Sequence, residues 1–216
     1  MSFDGSVAGN GAAAYSAEGM SLTIGGGAQD GAAKTALGGE LTIMKAPNAE
    51  GDYVDGSVGK CFAYGAQRGR FLVQGSADAR AGIRLSGADV VIGGDVKGFA
   101  FEYMTGGRAA ILGDPGRWIC SGMSGGAVFV RHDPERGLDE AAIKDRIAKG
   151  AKAAVRPVGE ADRETLRALL VPYALALSRS GQDAAATEAI ALLDAPDAFR
   201  VIRPAGEVVD QSISTE

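Results

Sequence analysis

The feature that most constrains this chain is a recurring corner of small residues followed by a short apolar run. Two copies stand side by side: Met104-Thr105-Gly106-Gly107 leads into Arg108-Ala109-Ala110-Ile111, and Met123-Ser124-Gly125-Gly126 leads into Ala127-Val128-Phe129-Val130. Upstream copies place Gly19 before Met20-Ser21-Leu22, Gly38-Gly39 before Glu40-Leu41-Thr42, Gly69 before Arg70-Phe71-Leu72, and Gly87 before Ala88-Asp89-Val90. Anchored on Gly19, Gly39, Gly69, Gly87, Gly107 and Gly126, the steps are 20, 30, 18, 20 and 19 residues. The long step is one repeat plus an insertion of about ten residues, centred on Pro47-Asn48-Ala49-Glu50-Gly51. A fixed period near twenty is the mark of a solenoid.

After each corner the apolar residues alternate, as in Met20, Leu22 and Ile24, or Leu41 and Ile43. Alternation suits a strand with one buried face, and runs of three to five residues are too short for a helix. Glycine supplies the positive φ that a sharp corner needs. Strand, corner, second strand and return therefore describe one coil of a parallel β-helix, with coils stacked about 4.8 Å apart. The expected fold is an all-β solenoid with a helical tail: a single-stranded right-handed parallel β-helix of about six to seven coils. Its structural corner glycines are Gly19, Gly38, Gly39, Gly69, Gly87, Gly106, Gly107, Gly125 and Gly126. A narrow interior favours Ala, Val, Ile and Leu and leaves little room for aromatics. Leucine-rich repeats and hexapeptide helices fit worse, because neither the leucine spacing nor a six-residue step is kept.

The expected division is residues 1–131 for the β-helix and 132–216 for a mainly helical tail packed on it. A polar link at 131–137 carries turn residues. Helical patterns follow at 138–149, at 162–179 with Asp162 as its cap, and at 183–193, stopped near Pro196. Pro172 is expected to kink or divide the second helix. Residues 199–204 read as extended, and the last dozen as loose.

Composition excludes several classes. Glycine is 33 of 216 residues without a G-X-Y period, which rules out collagen. A net charge of −5 with no basic block argues against nucleic-acid and membrane binding. No apolar run is long enough to span a bilayer, and the first residues have no signal-peptide features. Cytoplasmic localisation is the resulting expectation. The two cysteines, Cys61 and Cys120, read as a reduced thiol pair and cannot supply a four-thiolate iron–sulfur cluster. The single histidine, His132, leaves no His-based metal site.

Three motifs invite chemistry. Gly122-Met123-Ser124-Gly125-Gly126 matches the G-x-S-x-G nucleophile elbow, which requires a helix after the serine and a distant histidine. Here a strand pattern follows, and the neighbouring repeat has Thr105 in place of Ser124, so a corner is expected. Gly9-Asn10-Gly11-Ala12-Ala13-Ala14 matches a loose dinucleotide fingerprint without the strand–turn–helix context. Asp78, Asp89, Asp95 and Asp114 are expected as turn formers near corners. Calcium repeats have a different spacing.

The repeats closely resemble the C-terminal β-helix domain of the large subunit of glutamate synthase, the GXGXG domain. The stretches that carry it are Gly5-Ser6-Val7-Ala8-Gly9-Asn10, Gly27-Ala28-Gln29-Asp30 through Leu37-Gly38-Gly39, Tyr64-Gly65-Ala66, Arg84-Leu85-Ser86-Gly87-Ala88, Glu102-Tyr103-Met104-Thr105-Gly106-Gly107, and Gly116-Arg117-Trp118 through Gly126. The resemblance implies a scaffold with no catalytic, cofactor or metal site of its own. It implies FMN and an iron–sulfur cluster in partner subunits, namely an FMN-domain subunit and a glutaminase-like amidotransferase subunit. Met1 is followed by Ser2, so the glutaminase's N-terminal cysteine is absent. The expected function is a non-catalytic structural subunit of a glutamate synthase-like oxidoreductase complex. The alternative is the similar β-helix subunit of a formylmethanofuran dehydrogenase or formyltransferase/hydrolase complex. Because the family domain begins with further residues, another chain, or a second copy, is expected to cover the first coil near residues 6–24.

Overall fold

Each small-residue corner launches a strand, and the strands stack in parallel. The computed structural model describes residues 1–7, 9–195 and 197–206. In chain order the strands are β1 (Ser2–Asp4), β2 (Ser21–Gly25), β3 (Leu37–Met44), β4 (Ala46–Pro47), β5 (Tyr53–Val54), β6 (Arg68–Val73), β7 (Ser86–Ile92), β8 (Thr105–Ile111) and β9 (Gly125–Arg131). Seven of them form a parallel array in the order β1-β2-β3-β6-β7-β8-β9, which makes a β-solenoid of about seven turns. The insertion after β3 forms the small antiparallel pair of β4 and β5.

The strand register sharpens the repeat. Ser21 faces Glu40, Glu40 faces Arg70, Arg70 faces Asp89, Asp89 faces Arg108 and Arg108 faces Ala127. The step is therefore 19 residues throughout, as between Asp89 and Arg108, except for 30 between Glu40 and Arg70. Two sequence anchors were one residue early. Met20 and Ala88, rather than Gly19 and Gly87, hold the place filled by Gly39, Gly69, Gly107 and Gly126 in the other coils.

The second strand expected in each coil is reduced to one column of single bridges through Val7, Ala28, Val58, Ala77 and Val96. The third side is a strip of turns in which left-handed residues recur at every second position, such as Phe99, Phe101 and Tyr103, or Cys61, Ala63 and Gly65. Their N–H groups point alternately down and up the stack: Ala63 donates to Ala32 O and Gly65 to Ile83 O, both at 2.8 Å. Each left-handed non-glycine residue costs about 1–2 kcal/mol. The hydrogen bonds between coils offset that strain.

The interior column contains Ile24, Leu41, Ile43, Val73, Val90, Ile92 and Ile111, all fully buried. It also contains Phe62, Phe71 and Phe101, more aromatic volume than the expected narrow interior was read to have room for. The rings fit because glycine stands beside them. A Cβ on Gly82 would lie 2.4 Å from the Phe101 ring, and one on Gly69 would lie 2.8 Å from Phe71 Cζ.

The remaining chain closes one end and covers one face. It forms α1 (Glu140–Arg146), β10 (Ala153–Pro157), α2 (Glu160–Arg179), α3 (Asp183–Asp194) and β11 (Phe199–Pro204). β11 pairs antiparallel with β9, and β10 pairs antiparallel with β11, so the sheet continues past the last coil. The outward face of the parallel sheet (Met44, Leu72, Val91, Ala110, Phe129) meets Leu166, Leu169, Leu170, Tyr173 and Leu177 of α2 in a second core.

The tail departs from expectation in four places. The first helix spans only Glu140–Arg146, capped by Asp139, whose side chain accepts from Ala142 N. β10 occupies a stretch for which no element was expected. Gly159, not Asp162, is the N-cap of α2; Asp162 sits a turn inside and its carboxylate accepts from Gly159 N at 3.0 Å. α2 also runs through Pro172 undivided. Its apolar stripe is pressed on the sheet, and that packing outweighs the backbone bond that proline removes. The expected stop at Pro196 and most of the expected loose end, 207–216, lie outside the described residues, as does Ala8.

Candidate functional site

The paired glycines meet two demands, positive φ and close approach of the neighbouring coil. Gly39, Gly69, Gly107 and Gly126 have φ of +84°, +108°, +85° and +86°, and Gly19 has +81°. Gly38, Gly87, Gly106 and Gly125 have no positive φ and are required by close approach alone, which also bears on the left-handed members: a Cβ would lie 2.7 Å from Ala17 O at Gly39, 2.6 Å from Gly39 O at Gly69 and 2.6 Å from Ala88 O at Gly107. A Cβ on Gly125 would lie 2.3 Å from Thr105 O, on Gly106 2.5 Å from Ser86 O, on Gly87 2.2 Å from Gln67 O, and on Gly38 2.8 Å from Glu18 N. The contacts are with backbone, which cannot swing away.

A second column runs along the opposite corner. Ser57 Oγ accepts from Ser76 N at 3.1 Å, Ser76 Oγ accepts from Asp95 N at 3.1 Å, and Asp95 Oδ1 accepts from Asp114 N at 2.8 Å, each 19 residues on. At the far end Arg146 donates to both oxygens of Asp114, at 3.0 and 2.7 Å. That guanidinium holds the Asp114 carboxyl below its ordinary range, aided by the amide of Gly116. At the near end, Asp55 accepts from Ser6 Oγ at 2.6 Å, and Ser6 Oγ accepts from Gly27 N at 3.0 Å. The sequence reading missed this column. Its signal was the dipeptide series Gly56-Ser57, Gly75-Ser76, Gly94-Asp95 and Gly113-Asp114 at a constant step.

The four aspartates separate into different roles. Asp95 and Asp114 belong to the column. Asp78 accepts from Ala79 N at 2.6 Å and from Lys97 Nζ at 3.0 Å. Those bonds, the backbone one foremost, lower its pKa. Asp89 is no turn former: it lies within β7 and receives both ends of the Arg108 guanidinium. With Glu40 and Arg70, paired at 2.9 Å, these residues alternate in sign along one line of the sheet. Facing charges of opposite sign favour the register that brings them together.

The residues with reactive groups are not brought together. Ser124 precedes β9, its N–H donating to Met104 O at 2.9 Å, and no helix follows it. His132 lies beyond the other end of that strand, on the order of 25 Å away at strand rise. Its ring Nδ1 sits 2.9 Å from Asp197 O. Cys120 is fully buried in the solenoid core, and burial pushes its thiol up to about 12. Cys61 is half-buried in the turn strip. The segment near Gly9 continues into turns rather than a helix. Among the described residues no group of three or more His, Cys, Asp or Glu side chains is placed to hold a metal ion, and no helix is long and apolar enough to cross a membrane. What the arrangement does is hold successive coils in one register.

Comparison with known proteins agrees with this geometry. The family model described as the GXGXG motif matches residues 1–181. The chain is 32% identical over 167 residues to the chloroplastic ferredoxin-dependent glutamate synthase of Spinacia oleracea, covering 77% of this chain and 10% of that protein. It is 34% identical over 177 residues to the ferredoxin-dependent glutamate synthase of Pyropia yezoensis, covering 81% and 11%. With the large chain of the NADPH glutamate synthase of Bacillus subtilis (strain 168) the identity is 36% over 132 residues, covering 60% and 8%. The chain spans about a tenth of the length of these curated relatives.

Proposed function

The chain belongs to the GXGXG-motif family, and from that premise we propose that it is the non-catalytic scaffold component of a glutamate synthase-like assembly. In this reading it holds an FMN-domain component and a glutaminase-like amidotransferase component in fixed relation. FMN and an iron–sulfur cluster reside on those partners, and the assembly works in the cytoplasm. The observation that carries the proposal is where the polar and glycine chemistry is used. The paired glycines, the Ser57–Asp114 column and the alternating charges of Glu40, Arg70, Asp89 and Arg108 all serve coil stacking. Ser124 and His132 stand at opposite ends of β9. Cys120 is a buried, protonated thiol.

Affinity purification of the tagged chain from its native host, followed by mass spectrometry and flavin absorbance, tests the reading. The expected result is stoichiometric recovery of an FMN-domain protein and a glutaminase-like protein, with the flavin absent from the chain once it is separated. Recovery of formyltransferase or hydrolase subunits would support the formylmethanofuran-type complex instead. A chain that carries bound flavin by itself would overturn the scaffold role.

A further inference from the structure

The sheet that starts at β1 ends at β10, whose strand partner among the described residues is β11 alone. The phase of that pair is readable. Ala205 N donates to Lys152 O at 2.9 Å on the β10 side of β11, and His132 N donates to Ala198 O at 2.8 Å on the β9 side. Bonding positions alternate in an antiparallel pair, so Ala154 and Arg156 face β11 through their backbones. The N–H and C=O of Ala153 and Val155 then point to the open side. The prolines agree: Pro157 and Pro204 both fall at positions of this pair that need no amide.

In front of that open edge lies a groove of about 620 Å³. Trp118 and Ile147 give it apolar surface, and Arg117, Lys144 and Lys149 outnumber the one acid, Asp145. Lys144 also pairs with Glu140 at 2.7 Å, while Arg117 and Lys149 are exposed. The groove is thus cationic on a chain whose net charge is −5. Trp118 is 48% exposed and stacks on Phe99, ring centroids 4.9 Å apart. An open edge supplies backbone hydrogen bonds to an extended peptide, and the flanking surface selects its side chains.

We propose that this groove receives an extended acidic segment of a partner chain, added as a further strand along β10. Its carboxylates face Arg117, Lys144 and Lys149, and an apolar side chain rests on Trp118. A nucleic acid shares the negative charge but has no peptide groups to match Ala153 and Val155. The site does not depend on which assembly the chain joins.

Trp118 is the single tryptophan of the chain, so its emission reports on the groove in the isolated protein. The probe is a ten-residue peptide alternating Glu with Val and Phe, compared with the same peptide carrying Lys for Glu. A saturable emission change with the acidic peptide is expected, at least tenfold weaker with the Lys peptide and at least tenfold weaker in the R117E/K149E variant. Ala153→Pro removes an outward amide and should abolish binding. Should that variant misfold, the acidic peptide N-methylated at alternate amides reads the same contact from the other side. No saturable change with the acidic peptide overturns the proposal, as does equal binding of the Lys peptide. Undiminished binding of the N-methylated peptide overturns strand addition. Each result bears on the groove alone, whereas the co-purification above bears on the assembly.

Discussion

A single added methyl group distinguishes the two uses of glycine. Gly19 has φ +81° and open space around its Cβ position, so alanine there meets only backbone strain, about 1–2 kcal/mol. At Gly125 the same methyl would be driven to 2.3 Å from the Thr105 carbonyl. Overpacking typically costs about 1–3 kcal/mol and occasionally more, and a carbonyl that cannot swing away puts Gly125 at the upper end. Gly206 has neither constraint, and alanine there should stay within about 0.5 kcal/mol. Denaturant midpoints should be highest for Gly206→Ala, lower for Gly19→Ala and lowest for Gly125→Ala. Equal losses for Gly19→Ala and Gly125→Ala would remove the distinction. The same difference explains where reading the sequence slipped: it showed glycines but not which demand each one met, so the anchor moved by one residue at Gly19 and Gly87.

At the scale of elements, legibility followed the strength of the local pattern. Leu166, Leu169, Leu170, Tyr173 and Leu177 announced α2, and 199–204 was expected as the extended segment it is. β10 was hidden because Ala153-Ala154-Val155-Arg156-Pro157 carries little apolar signal and takes its strand form from β11. The left-handed strip was hidden for a deeper reason. Alanine, phenylalanine and tyrosine have no preference for that conformation, and only the neighbouring coils impose it. One side chain ties two of the tail elements together: Asp162 accepts from Gly159 N and, at 2.7 Å, from Arg203 Nη2 of β11. Asp162→Ala should remove a helix-terminal bond worth about 1 kcal/mol. It also leaves Arg203 without its carboxylate. A total near 2 kcal/mol, read by urea unfolding, is expected to be halved by Asp162→Asn. A loss under about 0.5 kcal/mol would show that the tail docks through apolar packing alone.

For the molecule as a whole, Asp114 joins the side-chain column to the closing segment. Its folded pKa lies below the unfolded value, chiefly through Arg146. The stabilisation is therefore present above about pH 4, the ordinary carboxyl range, and is lost as pH falls through the lower folded value. Solvent screens the half-exposed pair, limiting it to about 1 kcal/mol. Thermal melts of the wild type and Asp114→Asn should differ most near pH 7 and converge as the pH falls below the ordinary carboxyl range of about 4. A difference that persists in acid would assign the loss to packing rather than charge. Asp78 shifts in the same direction, so the whole solenoid should weaken in acid.

The path of α2 has a consequence for how such a molecule changes size. Its 20 residues begin beside β11, through Asp162 and Arg203, and its last turn shares a cleft with Ser2, Thr23 and Met44 of the first coils. A helix of that length measures about 30 Å, and the six strand-to-strand spacings from β2 to β11 measure about 29 Å. The helix is thus a gauge laid across the stack. Excising residues 76–94, with Arg108→Asp so that Arg70 still faces a carboxylate, would join Gly75 to Asp95 and let Ser57 meet Asp95 as it now meets Ser76, so the solenoid itself would accept the loss. The gauge would then overhang by about 5 Å, close to one helical turn. The shortened chain should melt well below the wild type, and removing one turn from α2 as well should recover part of the difference. If the excision alone left the melting temperature unchanged, helix and stack would be independent in length. Otherwise the number of coils can change only in step with a helix encoded some seventy residues away.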